Sequence, residues 1–446
     1  MSQAVSTRYR NPGLEKTRAR TGACILKRCR ESASMLMIAL LFGAGCAVSV
    51  LCGIPVKRVM DNYSYNVLVI MITMELFTDL IGETGIMQLL ALKIAGISRG
   101  RKRLCLVLFG GMMFLISSCL NNITAVMMIL PIVFTLLKTL EVDRKYVCLF
   151  FSVILALSNT GGAASPIGDF PAILIMSSGI TSFLGYLTHA FLLFAFTSAV
   201  LLAVWGMQVK KEQDDGGVRQ LAVDILKSQY KHVRIRYDVL KWLGILFAGM
   251  FLAWSIVPQE VIPPEIIAVL GYAAAMVVCS VKNMKVSQMM DLKSVLMIAS
   301  FLFFAEVVSQ TGVLTLIADQ LQNQISDPKQ LVLAVMIITS LVSGIFSAGP
   351  AAAAMMPVIV EICNGPLAPQ SDWIAVAYAA AICAGSSLFM WSASAGFILS
   401  GKINGAGLQE SSGRPVSWGI RSYLGYGIVN YSIQLAIAML MMAVVL

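Results

Sequence analysis

The sequence predicts an all-α polytopic membrane protein, built as an inverted repeat with two re-entrant hairpins and two broken helices. Three features carry this expectation: an apolar composition, the placement of the basic residues, and a glycine-rich interruption inside an apolar run. Of 446 residues, 58% are hydrophobic and 13% charged, and the mean hydropathy is +0.81. Several windows exceed the ~20 apolar residues that a spanning helix needs. The interruption is Ser158 to Pro171, SNTGGAASPIGDFP, in the middle of the apolar stretch Tyr146 to Ile180. Its glycines, prolines, Asn and Asp disfavour a regular helix, and lipid tolerates irregular backbone only where it is buried in protein or lines a wet cavity. A helix broken at membrane depth is the recurring device of secondary transporters.

Composition also narrows the partners. A net charge of +10 would suit nucleic acid, but the basic residues fall in short blocks between apolar segments, which is a topology signal. The expected partner is the lipid bilayer, with an inorganic ion or small anion as cargo and no nucleic acid. The ten cysteines show no paired spacing with histidines. Cys46, Cys119 and Cys383 read as small packing residues, so neither disulfides nor zinc nor any other cofactor is expected beyond a sodium ion.

Residues 1–34 carry eight Lys or Arg against two acids, which predicts a basic cytosolic tail rather than a cleaved signal peptide, with an Arg-rich transit peptide as the alternative. The first transmembrane half, 35–206, begins with spans at Met35–Ile54 and Asn66–Ile81, the second continuing as an amphipathic stretch to Ile97. A hairpin over 104–140, interrupted at Asn121 and Asn122, precedes the broken helix 146–180 and a return span. Residues 207–241 read as a hydrophilic cytosolic linker. The second half, 242–446, repeats the order with a hairpin over 331–363, broken at Ser347 to Pro350, and a broken helix over 373–400. With the N-terminus inside, 30 of the 33 basic residues lie inside, provided both hairpins return to the side they entered. Phe77, Asp79, Thr84 and Gly85 match Phe304, Glu306, Thr311 and Gly312 at a constant shift of 227, and Ser117 and Pro131 match Ser343 and Pro357 at 226. In inverted repeats, ligands bind where the hairpin tips meet the broken helices.

The residues at those places define the candidate chemistry. Asn121, Asn122 and Thr124 offer hard neutral oxygens suited to sodium or to an oxyanion's hydrogen bonds; the alternative is a polar break that caps its own helix ends. The broken helix adds Ser158, Asn159, Thr160, the carbonyls of Gly161 and Gly162, and the charge of Asp169. A carboxylate at membrane depth costs about 2.5–3.5 kcal/mol, which makes Asp169 a functional candidate or a helix cap in an aqueous pocket. Ser347, Ser386 and Ser387 are the second-half candidates. Glu75, Asp79 and Glu83 recur every fourth residue and drift only about 80° around a helix. This acidic stripe, with Glu306 as the repeat mate of Asp79, reads as a proton relay or as a wet bundle face, and Glu361 has the same two readings. His189 reads as a hydrogen-bonded packing residue.

At these motifs the chain resembles the ion transporter superfamily, which groups arsenite exporters, NhaD-type sodium/proton antiporters, the P protein, a magnetosome membrane protein and divalent-anion/sodium symporters. NNITAVMMILP, Asn121 to Pro131, resembles the first hairpin tip of that superfamily, and SNTGGAASPIGDFP its following Gly-rich loop. The resemblance implies a first cation site at Asn122, Asn159, Gly161 and Gly162, with elevator-type alternating access. It also matches Asp169 to the antiporter and arsenite branches. Phe170 and Ala172 depart from the usual Pro and Asn, while Ser347 to Pro350 and Ser386 with Ser387 replace the second-half asparagines, which leaves the second ion site lost or altered. By the same resemblance the location is a bacterial inner membrane or a specialised internal vesicle membrane, with room for a homodimer.

The expected function is therefore secondary transport, not enzyme catalysis, and cation (sodium)/proton antiport ranks first because titratable acids are present while no intramembrane Lys or Arg awaits an anion. Arsenite-like or carboxylate anion transport is the runner-up, followed by a non-transporting regulator on a degenerate transporter fold. Gly168 and Asp169 also echo the Gly-x-Gly-Asp motif of intramembrane aspartyl proteases, but Pro166 replaces its first Gly and no partner motif follows. The charge partition makes the topology testable. In sided thiol labelling, Lys231→Cys should react only from the cytosolic side and Pro263→Cys only from the opposite side; labelling of both from one side removes the inverted arrangement.

Overall fold

The computed structural model describes residues 35–445 apart from 37, 141–142, 210–215, 231–233, 260, 285–291, 314–315, 317–319, 321–324, 326, 366, 394 and 410–413. The basic tail lies outside the described residues. Within them the chain is almost wholly helical, with one isolated bridge between Gln409 and Pro415. Eight of the described helices are long and apolar enough to cross a membrane. The protein is an all-α polytopic membrane protein.

Helices Lys102–Ser117 and Asn122–Thr139 flank the first polar interruption, and Pro328–Phe346 and Ala348–Asn364 flank the second. At 1.5 Å per residue these helices run about 24–29 Å each. Pro131 and Pro357 sit inside their second members, where each removes one backbone hydrogen bond.

Two helices form the centre of the molecule. Arg144–Ala163 is buried along its whole apolar window, and Ser371–Ser386 is buried from Ile374 onward. Each packs along the first helix of its own hairpin region, and the pair also meet each other. Glycine permits that approach: a Cβ on Gly161 would overlap the Phe114 carbonyl and lie 2.8 Å from Ser117 Cβ. Gly385 stands in the same relation to the Ser340 carbonyl and Ser343 Cβ.

Positions related by the constant shift share local geometry. Thr84 and Thr311 each donate a hydroxyl to the carbonyl three residues earlier, at 2.6 and 2.7 Å, and Gly85 and Gly312 follow with φ of +81° and +75°. Ser165 braces its loop against the Ser118 carbonyl, and Ser392 braces its own against the Gly344 carbonyl.

Two readings of the sequence are corrected. The first interruption is shorter than expected, because Ser158, Asn159, Thr160, Gly161 and Gly162 are still helical and only Ala164 to Asp169 leave the helix. Glycine costs a helix roughly 1 kcal/mol per residue relative to Ala, and here tight packing against the hairpin offsets that cost. Residues 207–241 are not loop throughout. They contain helix Gly216–Gln229, whose Val223 and Leu226 are buried in the cluster that also holds the apolar face of Asn122–Thr139.

Because Gly161 faces backbone that cannot yield, Gly161→Val should lower stability by about 1–3 kcal/mol through overpacking. Gly111, whose Cβ would meet nothing within 4 Å, supplies the control. Thermal melting in detergent should show a loss for Gly161→Val and no loss, or a gain of up to about 1 kcal/mol, for Gly111→Ala.

Candidate functional site

The first helix break ends at Asn121, which closes the turn and starts the next helix. Its Oδ1 accepts from the backbone N–H groups of Ile123 at 2.9 Å and Thr124 at 3.4 Å, so this side chain is an N-cap. Thr124 takes part through its backbone. Asn122, one residue on, is turned inward and only 1% exposed. Its Nδ2 donates to Asp169 Oδ2 at 2.9 Å, while its Oδ1 is buried with no hydrogen-bond partner. A buried acceptor left unsatisfied costs about 1–3 kcal/mol, so this oxygen is a ready ligand for a positive group.

Asp169 is held from the other side by the helix it starts. Its Oδ1 accepts from Phe170 N–H at 2.9 Å, and helix Phe170–Ser177 leads away with Pro171 in its first turn. Gly162 lets the pair close, since a Cβ there would stand 2.7 Å from Asn122 Oδ1 and 2.9 Å from Asp169 Cβ. Asp169 opens onto a narrow cleft that it shares with Glu75, Thr78, Cys119 and Asn121. Helix Tyr65–Glu83, the first hairpin tip and the resumed broken helix each supply one wall. Among the described residues, two carboxylates line the cleft and no Lys or Arg does.

Of the acidic stripe, Glu75 reaches this cleft, Asp79 is half-buried one turn along, and Glu83 is exposed. Glu306 lies on another helix and accepts from Gln310 Nε2 at 2.7 Å, and Glu361 is exposed. The remaining candidates form a second polar layer. Asn159 Nδ2 points at Ser386 Oγ at 3.3 Å, the Ser386 carbonyl at 3.4 Å and Ser387 Oγ at 3.5 Å, joining the two central helices. Ser158 shares a hydrogen bond with Ser117 at 3.2 Å, and Thr160 with Ser198 at 2.8 Å. Ser347 donates to the Ser392 carbonyl at 2.9 Å. His189 packs its ring against Trp373 and bonds the Gly185 carbonyl at 2.6 Å through Nδ1.

Comparison with known proteins places this arrangement. Residues 23–383 match the family model described as a citrate transporter, CitMHS. The chain belongs to that family. It is a membrane transporter, and its relatives fit that statement. An "uncharacterized transporter" of Mycobacterium tuberculosis is 23% identical over 380 residues, covering 83% of this chain and 84% of the relative. A "46 kDa membrane protein" of Mycobacterium leprae is 24% identical over 377 residues, covering 83% and 85%. The "P protein" of Mus musculus is 28% identical over 165 residues, 35% of this chain and 19% of the relative.

Sequence reasoning missed several parts of the candidate site. Cys119 and Thr78 line the cleft, and Tyr186 and Tyr423 donate to the Ala163 and Ser387 carbonyls at 2.8 and 2.7 Å, covering the ends of the two central helices. The 227-residue shift relates Asn159 to Ser386, already a candidate, and applied to Ser165 it would have pointed to Ser392. Because Asn121 spends its oxygen on capping, Asn121→Ala should cost about 1 kcal/mol of stability. The loss should appear in thermal melts equally with and without added ions; a loss confined to ion-containing buffer would instead make Asn121 a ligand.

Proposed function

We propose that this transporter exchanges a cation, sodium in the first instance, for protons, and that Asn122 and Asp169 form the coupling site. The observation that carries the reading is the Asn122–Asp169 pair itself: a carboxylate on the cleft wall beside a buried carbonyl oxygen that lacks a donor. Burial favours the protonated form of a carboxylate and a neighbouring cation favours the ionised form, so proton and cation compete for one charge. The half-buried polar tips on both sides of the central helices suit alternating access, with the two halves related as an inverted repeat. The basic-residue distribution supports a cytosolic N-terminus.

A second reading is favoured by the family description. The matched family is named for citrate, and a carboxylate anion would reach the same cleft with the backbone and amide donors of the hairpin tip as its hydrogen-bond partners. Against it stand the two acidic side chains lining the cleft and, among the described residues, the lack of a basic one, so the anion reading needs a neutralising cation bound first.

Purified protein in vesicles with an internal pH dye separates these. Sodium gradients should drive proton movement in the wild type, and Asp169→Asn, which keeps the volume and removes the charge, should abolish it while the protein still elutes as a folded species. Asp79→Asn should retain exchange; the opposite pattern assigns the proton to the acidic stripe. Citrate-driven proton movement with equal sodium on both sides would favour the second reading. Asn122→Ala should remove sodium-dependent thermal stabilisation, which for one bound ligand amounts to about 2.7 kcal/mol at a hundredfold excess over Kd.

A further inference from the structure

The two halves repeat in backbone and bracing but differ in the chemistry they place at equivalent points. The Ser165 and Ser392 braces, separated by 227 residues, fix the alignment of the two loops, and the Ser118 and Gly344 carbonyls that receive them are 226 apart. At those same shifts Asn122 corresponds to Ala348 and Asp169 to Gly396. Both members of the polar pair are missing together. Neither position has space for its return: Ala348 is buried, and a Cβ on Gly396 would overlap the Met390 carbonyl. The serines at the second hairpin tip and at the end of the second central helix are spent on the fold. Ser347, at φ +90°, donates to the Ser392 carbonyl, which Ala348 N–H also approaches at 3.3 Å, while Ser386 and Ser387 face Asn159.

The second hairpin tip does have a contact in the first half. Helix Ala348–Asn364 packs on helix Phe170–Ser177, and a Cβ on Gly349 would lie 3.4 Å from the Phe170 ring. Phe170 follows Asp169 and lines the same cleft. The tip that has lost its polar pair thus backs the wall of the site that kept one.

We infer that the molecule binds a single cation per chain, in the first half, and that the second half is a neutral, sealed counterpart whose hairpin tip buttresses the first site through Phe170. The inference rests on the reading of Asn122 and Asp169 as the cation site. It excludes cooperativity between halves within one chain: the dependence of binding on sodium concentration follows a simple hyperbola.

Equilibrium binding of radioactive sodium to the purified full chain, with the protein concentration fixed by amino-acid analysis, tests it. The expected result is one ion per chain with a Hill coefficient of one, at least a tenfold loss of affinity in Asp169→Asn, and unchanged stoichiometry in Ala348→Ser. Asn122→Ala provides a second route to the same loss should Asp169→Asn fail to fold. Two ions per chain, or binding that survives both first-half variants and falls in Ser386→Ala, would overturn this inference while leaving cation exchange in vesicles intact. An absence of sodium binding, together with an absence of sodium-driven proton movement, would overturn the proposed function and this inference with it.

Discussion

The hydrogen bond from Asn122 Nδ2 to Asp169 Oδ2 is the contact on which the first half depends. It joins the tip of one hairpin to the loop of a broken helix, two segments 47 residues apart that have few other polar means of meeting in an apolar surround. Each partner is also tied to its own helix start, Asn122 through the cap supplied by Asn121 and Asp169 through Phe170 N–H. The bond therefore fixes two helix N-termini relative to each other. Helix N-termini carry partial positive charge, which offsets part of the cost of placing a carboxylate in an apolar surround.

Close packing makes that arrangement reachable. Gly161 and Gly162 stand at the end of the central helix, the first against Phe114 and Ser117, the second against the Asn122 amide and Asp169. Side chains at either point would hold the hairpin away and break the Asn122 contact. In membrane interiors, where apolar burial does not itself drive helices together, small residues at the interface allow the backbone approach on which packing rests. The same logic holds at Gly385 in the other half, so the two central helices are sheathed alike even though their loops present different groups.

The unequal halves suggest a division of labour. One loop keeps charge and an unsatisfied oxygen, at a cost to stability; the other has its polar atoms bonded internally. A buried polar group without a partner calls for an explanation such as a bound ion, and Asn122 Oδ1 stands beside a carboxylate that opens onto a cleft. Helix Gly216–Gln229 adds a further asymmetry, because it docks with Val223 and Leu226 beneath the first hairpin.

Much of this was legible in the sequence, for physical reasons that can be stated residue by residue. Apolar run length and the spread of basic residues determined a polytopic helical protein, because lipid permits few other structures. Asn121, Asn122, Asp169 and the glycines near them were identifiable because polar and helix-breaking residues are expensive in apolar segments. What the sequence did not determine was which polar atoms meet. Asn121 and Asn122 are adjacent and alike, yet one caps a helix and the other turns to Asp169, a choice made by the direction of the turn. Glu75, Asp79 and Glu83 share a stripe, but only packing against the hairpin tip brings Glu75 into the cleft. The helical state of Ser158 to Gly162 was likewise decided by tertiary structure, since the cost of helical glycine is recovered only when another helix lies close enough to need it.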